Sequence, residues 1–122
     1  LFDKQRERAN EVSAMQVIGD VQGRNVIIVD DIIDTAGTLT MAANYIMECG
    51  AASVRAAVTH PILSGKAVER IEASKLVEVL VTDTIPLRHQ SEKIKVLSVA
   101  PIFATALRKI FYHESVSSLF IN

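Results

Sequence analysis

A chain of 122 residues suits one domain with a single modest core. Apolar residues make up 49% of it, which excludes a disordered chain. Its 13 Lys and Arg nearly balance its 14 Asp and Glu, so no global charge draws it to nucleic acid or an anionic membrane; it has no Trp and no apolar run of membrane-span length.

The chain opens on Leu1-Phe2-Asp3, without Met, and reads as the end of an apolar strand entering a charged loop. We therefore expect a natural N-terminal part ahead of it. From Glu11 to Val21 the pattern alternates loosely, as in a strand or hairpin leading into a sheet, and Val21-Gln22-Gly23-Arg24-Asn25 is a turn signal. Val26-Ile27-Ile28-Val29 is short, continuous and β-branched. Such a run suits a central strand of a parallel sheet, buried on both faces. Leu39, Ala42, Ala43, Ile46 and Met47 recur at helical spacing, and Gly50 is placed to end that helix. Val54 to Thr59, Leu76 to Thr82 and Ile94 to Ala100 are further strand candidates. Gly65 to Ser74 is a shorter helix, and Pro101 starts another that carries Ile102, Phe103, Ala106, Leu107 and Ile110. Strands and helices alternate, so the predicted fold is α/β, a single domain with a mainly parallel sheet of about five strands flanked by helices. Cys49, the only cysteine, has no disulfide partner in the chain. Near a helix end it reads as a buried or half-buried thiol in a reducing, cytoplasmic setting.

Chemistry concentrates in Val29-Asp30-Asp31-Ile32-Ile33-Asp34-Thr35-Ala36-Gly37-Thr38, which leaves a strand and enters a helix. The first N–H groups of a helix lack internal partners and carry partial positive charge, so several can bind one phosphate. Gly37 is expected to supply close backbone approach and unusual dihedrals, and the Thr35 and Thr38 hydroxyls add donors. Asp30 and Asp31 would repel a phosphate. Vicinal ribose hydroxyls suit them better, or a divalent cation held directly or through water. A ribose phosphorylated at one end satisfies both halves. The same aspartates also suit caps and turns, and Thr-x-Gly-Thr is common in loops; the full string after a β-branched strand is the more specific signal.

That string resembles the phosphoribosyl-diphosphate signature of the type I phosphoribosyltransferase fold. With Asp at position 34, it is most similar to the form found in the ribose-phosphate pyrophosphokinase family. Four further stretches resemble the same family: Asp3-Lys4-Gln5-Arg6, its catalytic loop; Val17-Ile18-Gly19-Asp20-Val21, the lead-in to the signature strand; Thr59-His60-Pro61-Ile62-Leu63-Ser64-Gly65; and Glu114-Ser115-Val116-Ser117-Ser118-Leu119-Phe120 at its C-terminal end. The resemblance covers essentially the whole chain and implies the second of two related halves. It implies transfer of the β,γ-diphosphoryl group of MgATP to ribose 5-phosphate, giving phosphoribosyl diphosphate and AMP. Lys4 and Arg6 then stabilise the transferring group, while Arg6, Asp30, Asp31, Asp34, Thr35, Ala36, Gly37 and Thr38 bind ribose 5-phosphate. Ser115 and Ser117 fall near an allosteric nucleotide site. Mg2+ serves the complete enzyme, and the partners implied are ribose 5-phosphate, ATP and further copies of the chain, commonly as hexamers; nucleic acid and membrane are not among them.

Gln5 departs from the family, which usually has a second basic residue there, and the main ATP- and metal-binding residues of the first half have no counterpart. A type I phosphoribosyltransferase and a non-catalytic regulatory homologue therefore stand as alternatives. By themselves Lys4, Arg6 and Arg8 are a solvated charge run. His60 reads as structural or a subunit contact rather than a metal ligand. Ser115 to Phe120 reads as a short edge strand or subunit contact, and His89, Glu92 and Lys93 as a solvated loop.

Overall fold

A computed structural model describes residues 2–5 and 14–120, with side chains from residue 17 onward. Strands β1 (Phe2–Gln5) and β2 (Ala14–Val17) form an antiparallel pair, with Phe2 opposite Val17 and Gln5 opposite Ala14. The main unit follows as β3 (Asn25–Ile33), α1 (Gly37–Glu48), β4 (Ser53–Pro61), α2 (Ala67–Ala73), β5 (Val79–Thr82), β6 (Ile94–Leu97) and α3 (Ala100–Phe111). Its sheet is four-stranded in the order β3-β4-β5-β6, and every pairing is parallel.

The register explains the core. Val26 lies beside Val54, Ile28 beside Ala56, Ala56 beside Val79 and Val79 beside Ile94, so one face of the sheet is aliphatic throughout. Val54, Ala56, Val58, Val79, Val81 and Ile94 are buried there against Leu39, Ala43 and Ile46 of α1 and Ala67 and Ile71 of α2. Positions 39, 43 and 46 form one helical stripe, which is why a β-branched run and a 3.6-residue repeat in this order fold into one layer on another.

The α/β class and the parallel sheet hold as expected, but five details differ. The described sheet has four strands rather than about five. Val26 to Val29 lies at its edge, not its centre: no described strand pairs with β3 on its far side. Only the α1–α2 face is covered among the described residues, so alternate side chains of β3 stay outside, with Ile27 64% and Val29 78% exposed. Cys49 is exposed, because it caps α1 beside the Leu39–Ala43–Ile46 stripe rather than on it. Ser115 to Phe120 forms no strand; it holds a short 3-10 turn over Ser117–Leu119, with the Ser115 Oγ accepting the Ser117 N–H at 3.3 Å.

The turn at Val21 to Asn25 forms as read, closed by the Arg24 N–H on the Val21 carbonyl at 3.0 Å, with Gly23 at φ 70°. The last strand stops at Leu97 because Asp83, at the end of β5, reaches across to Ser98 and the Val99 N–H and starts α3 there. No residue of α3 is buried, and its apolar positions Ile102, Phe103, Leu107 and Ile110 all face outward. Among the described residues no helix is long and apolar enough to cross a membrane.

Candidate functional site

Ligands of open α/β sheets bind at the carboxyl ends of the strands, and the Asp34–Thr38 loop lies there between β3 and α1. The backbone holds it from two sides. The Ile62 and Leu63 N–H groups donate to the Ile33 carbonyl at 3.0 and 3.1 Å, and the Ser64 N–H to the Asp34 carbonyl at 3.0 Å. The Ser64 hydroxyl donates to the Asp34 carboxylate. From α2, Arg70 Nη1 donates to the Thr35 carbonyl at 2.9 Å.

The chain then turns sharply at Ala36, which is left-handed with φ 63°. The expected unusual dihedral therefore falls on Ala36, and Gly37 already belongs to the first turn of α1. The strain at Ala36 is of the order of 1–2 kcal/mol for an L-residue. It is held by Thr40, whose N–H and hydroxyl both donate to the Ala36 carbonyl, at 3.0 and 2.7 Å. Ala36 is itself part of the core, 5% exposed, so its methyl anchors the turn from beneath.

Helix α1 has no side-chain cap and no acid in its first turn. The N–H groups of Ala36, Gly37 and Thr38 donate to no described residue. These donors, with the Thr35 and Thr38 side chains, line a recess of about 230 Å³ that also takes in Asp30 and Asp34. The structure thus brings together Asp30, Asp34, Thr35, Ala36, Gly37 and Thr38. It does not bring in Asp31: successive strand residues face opposite ways, and Asp31 does not line the recess, though its N–H donates to the Asp30 carboxylate at 2.8 Å.

Lys4 sits in β1 opposite Met15, and Arg6 falls outside the described residues. Ser115 and Ser117 hydrogen-bond each other at 2.7 Å. They lie close in sequence to an open hollow of about 400 Å³ walled by Thr105, Arg108, Lys109, Tyr112 and Glu114, without lining it. That hollow is the larger, but it lacks the converging free N–H groups of the loop. Half-buried His60 has its Nδ1 2.9 Å from the Thr84 hydroxyl, and no group of three His, Cys, Asp or Glu suited to a metal occurs among the described residues. Ser64, Arg70 and Thr40 were not singled out by sequence reasoning. Arg70 meets the loop 35 positions after Thr35, and no local pattern announces such a contact.

Comparison with known proteins bears on the fold and the family. The chain is 57% identical over 121 residues to a ribose-phosphate pyrophosphokinase of Campylobacter jejuni, covering 99% of this chain and 39% of that protein. It is 58% identical over 120 residues to the one of Helicobacter hepaticus, covering 98% and 39%. It thus spans about two fifths of the length of these relatives. Among solved structures, phosphoribosylpyrophosphate synthetase from Mycobacterium smegmatis superposes with a TM-score of 0.80 at 38% identity, over 84% of this chain and 35% of the other. The model of the phosphoribosyl synthetase-associated domain matches residues 5–121, and to that family this chain belongs.

Proposed function

We propose that this chain carries the ribose 5-phosphate site of a ribose-phosphate diphosphokinase, which passes the β,γ-diphosphoryl group of ATP to O1 of ribose 5-phosphate and releases AMP. One observation carries the reading: free N–H donors at an uncapped helix start share a recess with Asp30. Unpaired backbone donors are costly to keep from water, and an anion satisfies several at once. The 5-phosphate sits on Ala36 to Thr38 with the Thr35 and Thr38 hydroxyls, and the Asp30 carboxylate accepts from the ribose hydroxyls. Asp34 is held against Ser64, which fixes its carboxylate at the rim.

Lys4 and Arg6 are proposed to meet the charge of the transferring diphosphoryl group. Phosphoryl transfer is largely positioning and charge stabilisation, so cations suit the task. Mg2+ is ordinarily held by one or two carboxylates together with phosphates and water. Asp30 and Asp34, both on the recess, fit that limited part, and the ion would neutralise phosphate charge there. Placement in the second half of the enzyme rests on the sequence resemblance and not on the matched lengths. A cytoplasmic setting belongs to the same proposal.

Titration calorimetry with ribose 5-phosphate, ribose and inorganic phosphate tests the site. The phosphorylated sugar should bind more tightly than either fragment, and equal affinity for ribose and ribose 5-phosphate would dismiss the phosphate cradle. AMP release tests the activity. The 122-residue chain should bind without turnover, because aligning both reactants supplies roughly 7–11 kcal/mol of catalysis. A polypeptide of the relatives' full length should turn over, and no AMP from it would reject the enzymatic reading.

A further inference from the structure

Arg70 stands behind the loop rather than in the recess. It is exposed, it does not line the recess, and among the described residues no carboxylate pairs with it. Among the described residues its guanidinium makes one hydrogen bond, to the Thr35 carbonyl at 2.9 Å. A trans peptide sends its C=O and N–H in opposite directions. Turning the Thr35 carbonyl towards α2 therefore turns the Ala36 N–H the other way, and that N–H has no described partner. The left-handed Ala36 then delivers the N–H groups of Gly37 and Thr38 in succession. The guanidinium also lies close to the helix start: its Nη1 is 4.0 Å from where a Cβ on Gly37 would stand. A full positive charge thus adds to the partial charge of the helix terminus.

We infer that Arg70 is a positioning residue for phosphate binding: it clamps the Thr35–Ala36 peptide so that the Ala36 N–H faces the anion, and it lends its charge from behind the loop. This rests on the reading of the loop as a phosphate cradle and names a residue that the loop sequence does not contain. It separates two tasks. The recess side holds donors in contact with ligand, and the α2 side fixes their direction before ligand arrives. Such preorganisation shows as affinity, since less ordering remains to be done on binding.

The test titrates inorganic phosphate into the full chain, into Arg70→Ala and into Arg70→Lys. The ligand-free urea midpoint is read for each, and amide chemical shifts are followed by NMR. Arg70→Ala should weaken phosphate binding about tenfold or more, the scale of one charge-assisted hydrogen bond. Its ligand-free midpoint should move little, because the bond is exposed. The Ala36 amide should lose its phosphate-induced shift while the Thr38 amide still responds. Arg70→Lys, which keeps a cationic donor, should recover most of the affinity. Unchanged affinity in Arg70→Ala, or an Ala36 amide that responds as before, overturns the inference. So does an affinity loss matched by a collapsed midpoint and not recovered by Lys, which marks Arg70 as merely structural. If the unmodified chain takes up no phosphate, the cradle reading falls first and this inference with it, an outcome visible before any variant is made.

Discussion

Replacing Gly37 by Ala separates what the fold needs from what the ligand needs. Gly37 is the first residue of α1 and has no positive φ. An added Cβ would meet nothing closer than the Thr35 hydroxyl at 3.9 Å and Arg70 at 4.0 Å, ordinary van der Waals distances. The empty protein therefore gives glycine no steric reason to be there. Alanine is favoured over glycine in a helix by roughly 0.5–1 kcal/mol, partly through a less free unfolded chain, so Gly37→Ala should be more stable without ligand by a gain of that order. Phosphate should reverse the comparison. At 100 times its dissociation constant a ligand adds about 2.7 kcal/mol to stability, and a methyl group that obstructs close approach of the anion removes part of that increment. Urea unfolding with and without phosphate reads both quantities on the same sample. A variant less stable when empty would show that Gly37 serves the fold. An unchanged phosphate increment would show that the glycine is not there for the anion.

Thr38→Val should weaken ribose 5-phosphate binding by about 1.5–3 kcal/mol, the value of one hydrogen bond to a charged group, and calorimetry showing the same affinity removes Thr38 from the site. Asp30→Asn should impair ribose 5-phosphate while sparing inorganic phosphate; equal losses for both contradict the division between carboxylate and loop. The Ser98 hydroxyl, with the Val99 N–H, holds the Asp83 carboxyl below its usual value. A depressed folded pKa contributes stability above the ordinary carboxylate pKa of about 3.9 and loses it as pH falls through the lower folded value. Acid titration should therefore release the start of α3 only below that ordinary value, and Asp83→Asn should abolish that step; an unaltered acid transition refutes it. The exposed apolar residues Ile27, Val29 and Leu97 on the sheet, with Phe103 and Leu107 on α3, should drive self-association, and sedimentation as a clean monomer at high concentration would contradict it.

Much of the fold was legible because its signals are local. The run Val26 to Val29 and the stripe Leu39, Ala43 and Ile46 each announce their period, and Pro101 marks the start of α3 within one residue. Edge and centre were not legible. A β-branched run looks the same in either place, and the difference lies in whether another strand pairs beside it. The loop itself could be found from its threonines, glycine and aspartates. Its inner geometry could not, since alanine carries no mark of a left-handed turn and Asp31 looks equivalent to Asp30 until the pleat sends them to opposite faces. Arg70 and Ser64 reach the loop through tertiary contact, the kind of information a single sequence spreads over distant positions.

Strand order has one more consequence. Among the described residues, every group placed at the recess, and every group that holds it, comes from the contiguous stretch between Asp30 and Arg70, in which β3 and β4 are direct neighbours joined through α1. Neither β6 nor α3 contributes. Short crossovers between adjacent strands close with little loss of chain entropy, and such supersecondary units often open and close cooperatively. The cradle should therefore behave as one foldon. In native-state hydrogen exchange, the amides of Ile33, Thr40, Ser64 and Arg70 should share a common opening free energy, while those of α3, which has no buried residue, exchange first. The recess would then survive fraying of the C-terminal third of the chain.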